Sequence, residues 1–303
     1  MSNPSPESNG IPSDATLHES DATRTILFFS DDLLAITGLQ DSARRLGFTD
    51  RVIDRPEAID GDPTVPEAAP GLTEPLVGPD AAFIRVVAEM QPALVLVDAG
   101  SASLPWQRWI QILKTSAATR RIPVIAYGPH VQADRLEQAR MLGADDVITR
   151  GRLHSAFDEI VRLWARTVDP GAALQACAQP LSEPAQRGLD CLARAQYFEA
   201  HEHLEKAILA QPGPESMLYR ALLQVAVTYL QIERGNGRGA AKMLLRMHQW
   251  LDPLPETCRG VDVRALKEHV ARLRSAIDVV GIQDIEALDR SLLAPIPMVP
   301  SVI

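Results

Sequence analysis

The sequence predicts a chain in two parts: an α/β module built on a doubly wound, five-stranded parallel sheet, then an all-α helical bundle. Three observations carry this reading. Short apolar runs and helical patterns alternate five times between Thr25 and Arg166, the rhythm of a parallel sheet with helices on both faces. Beyond Pro184 no strand pattern recurs, and only helical periodicity remains. The charge divides near the same place: residues 1–170 hold 16 basic and 24 acidic side chains, whereas 171–303 hold 14 and 15.

Taken in order, residues 1–23 are rich in Ser, Pro, Asn and acids and are expected to form a disordered leader. Ile26-Leu27-Phe28-Phe29 reads as a buried strand that ends in the polar turn Ser30-Asp31-Asp32. Apolar residues at helical spacing run from Leu33 to Leu46 and stop at Gly47, a natural C-terminal cap. Arg51–Asp54 is expected to form a short strand. Residues 55–80 carry six prolines (56, 63, 66, 70, 75 and 79), which predicts an inserted loop. Helix over Ala81–Met90 leads into the clearest strand, Ala93–Val97, with Asp98 at its carboxyl end. A helix over Trp106–Thr115, a strand over Pro123–Tyr127, a helix over Ala133–Leu142, a strand over Asp146–Thr149 and a helix from about Leu153 to Arg166 complete a module spanning 24–167. Pro170, Gly171 and Pro180 mark 168–183 as a linker. The bundle, 184–280, is expected to hold helices over 184–210, 215–234, 238–251 and 262–280, and residues 281–303 a tail.

Composition removes several classes of function. The net charge of −9 argues against a nucleic-acid interface. No apolar run approaches the roughly 18 residues of a bilayer span, and the polar, acidic N-terminus lacks the basic start and apolar core of a secretory signal. The cytoplasm is therefore the expected compartment. Cys177, Cys191 and Cys258 are too few and too scattered for a disulfide framework or a zinc site.

In open parallel sheets, ligands sit outside the carboxyl ends of the strands. Here that edge presents Ser30, Asp31, Asp32, Asp98, Tyr127, Gly128, Thr149 and Arg150. Together with Arg121-Ile122-Pro123-Val124-Ile125 and the turn Gly143-Ala144-Asp145-Asp146, these residues resemble the flavodoxin-like receiver domain of bacterial response regulators over residues 24–166. The resemblance implies a phosphoacceptor at Asp98, an acidic pocket of Asp31, Asp32 and Arg150, and Mg²⁺ held at Asp31 and Asp98. The chain departs from that pattern. In the most natural register the acidic pair falls on Ser30 and Asp31, leaving one carboxylate; sliding by one residue gives Asp31 and Asp32. The family's hydroxyl after the fourth strand aligns with Gly128, and its lysine after the fifth aligns with Arg150, which keeps the charge but differs in shape and reach.

The bundle carries a second pattern, Tyr197-Phe198-Glu199-Ala200-His201-Glu202-His203-Leu204-Glu205. His201 and Glu205 lie four apart on one helical face, and Glu202 sits about 100° away. An imidazole and a carboxylate so spaced suit a divalent metal if another helix adds a ligand; His248, Glu233 and Gln231 are candidates. With Leu222-Leu223-Gln224 and the turn Gly235-Asn236-Gly237-Arg238-Gly239-Ala240, this helix resembles a small helical family of unknown function. That resemblance implies a metal-dependent hydrolase with ligands at His201, Glu202 and Glu205, and a structural turn at Gly235, Asn236 and Gly239. The competing expectation is that His201 and Glu205 are a hydrogen-bonded pair that fixes helix packing. Tetratricopeptide-like spacing recurs once, but after 40 residues instead of the 34 of a true array.

The expected function is that of a non-catalytic signalling or scaffold protein, a degenerate receiver plus a bundle, whose partners are proteins, a second copy of the chain among them. A metal-dependent hydrolase and a phosphorylatable response regulator are the alternatives, and the residues assign no catalytic group outright.

Overall fold

The computed structural model describes residues 24–59 and 78–299. The expected leader over 1–23, and 60–77 of the proline-rich insertion, lie outside the described residues. The α/β module holds β1 (Thr25–Phe29), α1 (Leu33–Arg45), β2 (Thr49–Ile53), α2 (Gly78–Met90), β3 (Leu94–Asp98), α3 (Trp106–Thr115), β4 (Val124–Gly128), α4 (Ala133–Met141), β5 (Asp146–Thr149), α5 (Arg150–Ser155) and α6 (Phe157–Trp164). The sheet is parallel throughout, in the order β2-β1-β3-β4-β5. The three inner strands are buried along their whole length, which is why they read as unbroken apolar runs.

Alternation divides those runs between two cores. Leu27, Phe29, Val95 and Val97 pack with Phe83, Val87, Trp109 and Ile110 of α2 and α3. Ile26, Phe28, Leu94 and Leu96 pack with Ile36 and Leu39 of α1 and with Phe157 and Val161 of α6. The order brings the ends of β1, β3 and β4 side by side, so Asp98 lies next to Tyr127 in the ladder.

Beyond the sheet come α7 (Pro170–Cys177), α8 (Glu183–Ala193), α9 (Tyr197–Ala210), α10 (Met217–Glu233), α11 (Gly237–Leu251), a two-stranded antiparallel pair β6 (Thr257–Cys258) and β7 (Val261–Asp262), and α12 (Val263–Val280). Three sequence expectations change here. The long helix over 184–210 is two helices, broken where Ala195 adopts φ +57°. No glycine or proline marks that break; it lets α8 fold back against α9, where Gly188 abuts Leu204. The linker contains α7, whose Cys177 forms a disulfide with Cys258 across 81 residues. The spacing of three cysteines could not show this pairing, because it depends on how the bundle folds back. The tail over 281–299 packs on the bundle: Ile285 and Leu288 are buried, Arg290 donates to the Ile232 carbonyl at 2.9 Å, and the Tyr229 hydroxyl donates to the Ala294 carbonyl at 3.0 Å.

The two parts share an interface. Leu245 of α11 joins the core formed by α2 and α3, and Arg85 of α2 pairs with Asp278 of α12 at 3.2 Å.

Candidate functional site

Asp98 is 1% exposed at the end of β3. Its Oδ1 accepts from the Gly100 amide at 2.8 Å. Its Oδ2 accepts from Arg150 Nη2 at 2.8 Å and from the Ser30 hydroxyl at 3.4 Å. Arg150 follows β5 directly, because Thr149 caps α5 by accepting from the Arg152 amide. The same guanidinium donates Nη1 to Asp32 Oδ2 at 2.9 Å, and Asp32 Oδ1 caps α1 through the Ala35 amide. One planar cation thus bridges the two carboxylates.

Burial pushes the Asp98 carboxyl above its usual range, against the opposing pull of Arg150 and the Gly100 amide. Burial, followed by the nearby Asp98 charge, pushes the Tyr127 phenol up as well. Asp31 is turned the other way, toward the β3–α3 loop, where Ser101 and Ser103 donate hydroxyls to its Oδ2 at 2.7 and 2.6 Å. Its slight burial acts upward, but these bonds outweigh it and hold the carboxyl below its usual range.

The expected Mg²⁺ site at Asp31 and Asp98 does not match this donor set. Asp31 is committed to the serines, Asp98 to Arg150, and Ser30 stands where a second acid would be. Among the described residues no three His, Cys, Asp or Glu side chains form a metal-binding group. Asp32 is joined to Asp98 through the arginine, while Asp31 lies near enough for its charge to add to the upward push on the Asp98 carboxyl. Sequence register left Asp31 and Asp32 undecided, because the choice depends on which side chain the α1 cap retains.

The metal site expected at His201, Glu202 and Glu205 is also not assembled. His201 Nε2 lies 3.4 Å from Glu205 Oε1, and the imidazole stacks on Phe198 with centroids 6.4 Å apart. Glu202 is exposed on another face. The candidate third ligands are engaged elsewhere: Gln231 Oε1 accepts from Asn236 Nδ2 at 2.7 Å, and His248 Nδ1 pairs with Asp252 at 2.8 Å. Glu233 belongs to no three-residue metal-binding group either.

The Gly235–Gly239 turn joins α10 to α11. Gly235 has φ +69°, the left-handed conformation that favours glycine. Asn236 caps α11 by accepting from the Gly239 amide at 2.9 Å. A Cβ on Gly239 would lie 2.6 Å from Asn236 Nδ2 and 2.7 Å from Gln231 Oε1, so that glycine admits the bond between them. Gly237 is tighter still. A Cβ there would overlap the Ile282 carbonyl oxygen and sit 2.9 Å from its carbon. This obstacle is backbone, so Gly237→Ala is expected to cost about 2–3 kcal/mol. Urea unfolding should show it, with Gly151→Ala, where nothing lies within 4 Å, staying within about 0.5 kcal/mol of the parent.

Sequence reading missed the junction between the parts. A cleft of about 490 Å³ there is lined by Arg85, Glu89, His248, Lys267 and Arg274 among others. These residues come from α2, α11 and α12, so no local motif announces them.

Residues 185–243 match the family described as Domain of unknown function (DUF309). The first half is similar in fold to solved receivers. A response regulator from Desulfuromonas acetoxidans is 17% identical, with 46% of this chain and 97% of that one covered and a TM-score of 0.32. The phosphorylated cyanobacterial phytochrome response regulator RcpA is 15% identical, covering 48% and 99%, with a TM-score of 0.36. A response regulator receiver domain from Rhodospirillum rubrum is 21% identical, covering 46% and 89%, with a TM-score of 0.34. No curated protein matches the chain. No helix among the described residues is long and apolar enough to cross a membrane.

Proposed function

We propose that the protein is a non-catalytic signalling or scaffold component, in which an arginine-locked receiver-like module and its bundle act through contacts with other proteins. The observation that carries this reading is the Arg150 bridge. Phosphoryl transfer to a carboxylate needs a free nucleophilic oxygen and cationic groups that meet the phosphoryl oxygens. Here the cation is already spent on Asp98 Oδ2 and Asp32 Oδ2, at 2.8 and 2.9 Å. The other Asp98 oxygen is held by Gly100. The surface beside the locked pocket supports a contact role: Leu34 at the start of α1 is 91% exposed, and Val131, between β4 and α4, is 76% exposed.

Incubation of the full chain with acetyl phosphate and Mg²⁺, followed by intact-mass measurement, tests the reading. No 80-dalton adduct is expected, to within a detection limit of about 5%. Stoichiometric phosphorylation that disappears in Asp98→Asn would overturn it and restore a working receiver.

A further inference from the structure

Trp250 lies near the end of α11, half-buried where the two parts meet. Two arginines lie over its indole. The Arg121 guanidinium carbon, from the loop entering β4, is 4.7 Å from the ring centroid. That of Arg220, from α10, is 4.9 Å away. Arg220 Nε donates to Ser216 Oγ at 3.0 Å. Among the described residues neither arginine shows an ion pair with a carboxylate. The charges that act on Arg121 are all positive: after burial, Arg220, Arg120 and Arg166 push its pKa down. Among the described residues, a chain of net charge −9 thus brings two arginines, neither of them ion-paired, onto one indole.

The cations edge a cavity. A cleft of about 420 Å³ is lined by Arg121, Arg220 and Trp250, with Val168, Pro214 and Met217 as apolar wall. That volume lies in the range of small-molecule sites. Asp169 also lines it, and its carboxylate caps α7 by accepting from the Gly171 amide at 2.9 Å. Stacking on an indole holds a guanidinium by its face and leaves its N–H edge available. Such edges suit the paired oxygens of phosphate, which they bind bidentately. Two guanidiniums match a dianion, and the apolar wall suits an organic group attached to it.

We propose that this cleft binds a small organic phosphate monoester, held by Arg121 and Arg220 against Trp250. Because one arginine comes from each part of the chain, the ligand would tie the receiver-like module to the bundle. The inference is independent of the state of Asp98.

Calorimetric titration of the full-length protein with phenyl phosphate tests it, with phenol and inorganic phosphate as the comparison ligands. At about 50 mM salt, one site of submillimolar Kd is expected for phenyl phosphate. Phenol should not bind, and inorganic phosphate should bind at least about tenfold more weakly, for want of the apolar wall. Arg121→Gln and Arg220→Gln should each weaken phenyl phosphate about tenfold or more. Arg121 is exposed on a loop, so its variant should fold, with an unchanged circular dichroism spectrum as the check. Arg152→Gln, at an exposed arginine outside the cleft lining, should leave the affinity unchanged. Absence of binding to about 10 mM phenyl phosphate, binding that survives Arg121→Gln, or binding lost equally in Arg152→Gln would each overturn the proposal. Equal affinity for inorganic phosphate would overturn its organic part.

Discussion

Replacing Arg150 with alanine is expected to lower the unfolding free energy by about 3 kcal/mol at pH 7, because it strands a buried carboxylate. Asp98 is 1% exposed, whereas the Arg150 side chain is 32% exposed, so the damage falls on the acid side of the pair. Asp98→Asn should cost far less. The amide can still accept from Gly100 and Ser30, and the released arginine keeps Asp32 and contact with water.

The pH dependence has a definite sign. The folded protein already holds the Asp98 proton more tightly than the unfolded chain does, since burial raises this carboxyl. Its contribution to stability is therefore full below the usual carboxylate range and is lost as pH rises through the raised value. Removing Arg150 takes away the main opposing pull, extends that loss to higher pH and deepens it. The gap between parent and Arg150→Ala should close as the solution is acidified. Urea unfolding between pH 4 and pH 7 reads this out, and a gap independent of pH would show that Arg150 stabilises the fold by packing alone.

Loss of the Cys177–Cys258 bond is expected to cost about 4.5 kcal/mol, the chain-entropy value for a loop of this size. The bond spans 81 residues and encloses α8 to α11, so reducing it frees most of the bundle's chain in the unfolded state. Unfolding curves with and without reductant should differ by about this amount and coincide in a Cys177→Ser, Cys258→Ser double variant. Cys191 provides the thiol count: it alone is free in the oxidised chain. Three reactive thiols in unreduced, denatured protein would refute the bond. In a reducing compartment, where such bonds are rare, the bundle would lack this contribution.

The parallel sheet was legible because its signals are local. Leu94–Val97 reads as a buried run, Asp98 ends it, and the strand–helix rhythm admits few other topologies. The Gly235-Asn236 turn was legible for the same reason: a left-handed glycine and a side-chain cap are short-range chemistry. The partner of Asp98 was only half legible. Sequence placed Arg150 at the right strand end, but it could not show that the guanidinium would span Asp98 and Asp32, 52 and 118 residues away in sequence.

By itself, then, the sequence determined the two-part architecture, the carboxyl-edge position of Asp98 and the turn before α11, each of which rests on interactions within a few residues. Tertiary structure alone decided the break at Ala195, the cysteine pairing, the docking of residues 281–299 and the meeting of Arg121 and Arg220 on Trp250. Those outcomes depend on which distant surfaces bury each other, and the packing energy that selects them leaves no periodic trace along the chain.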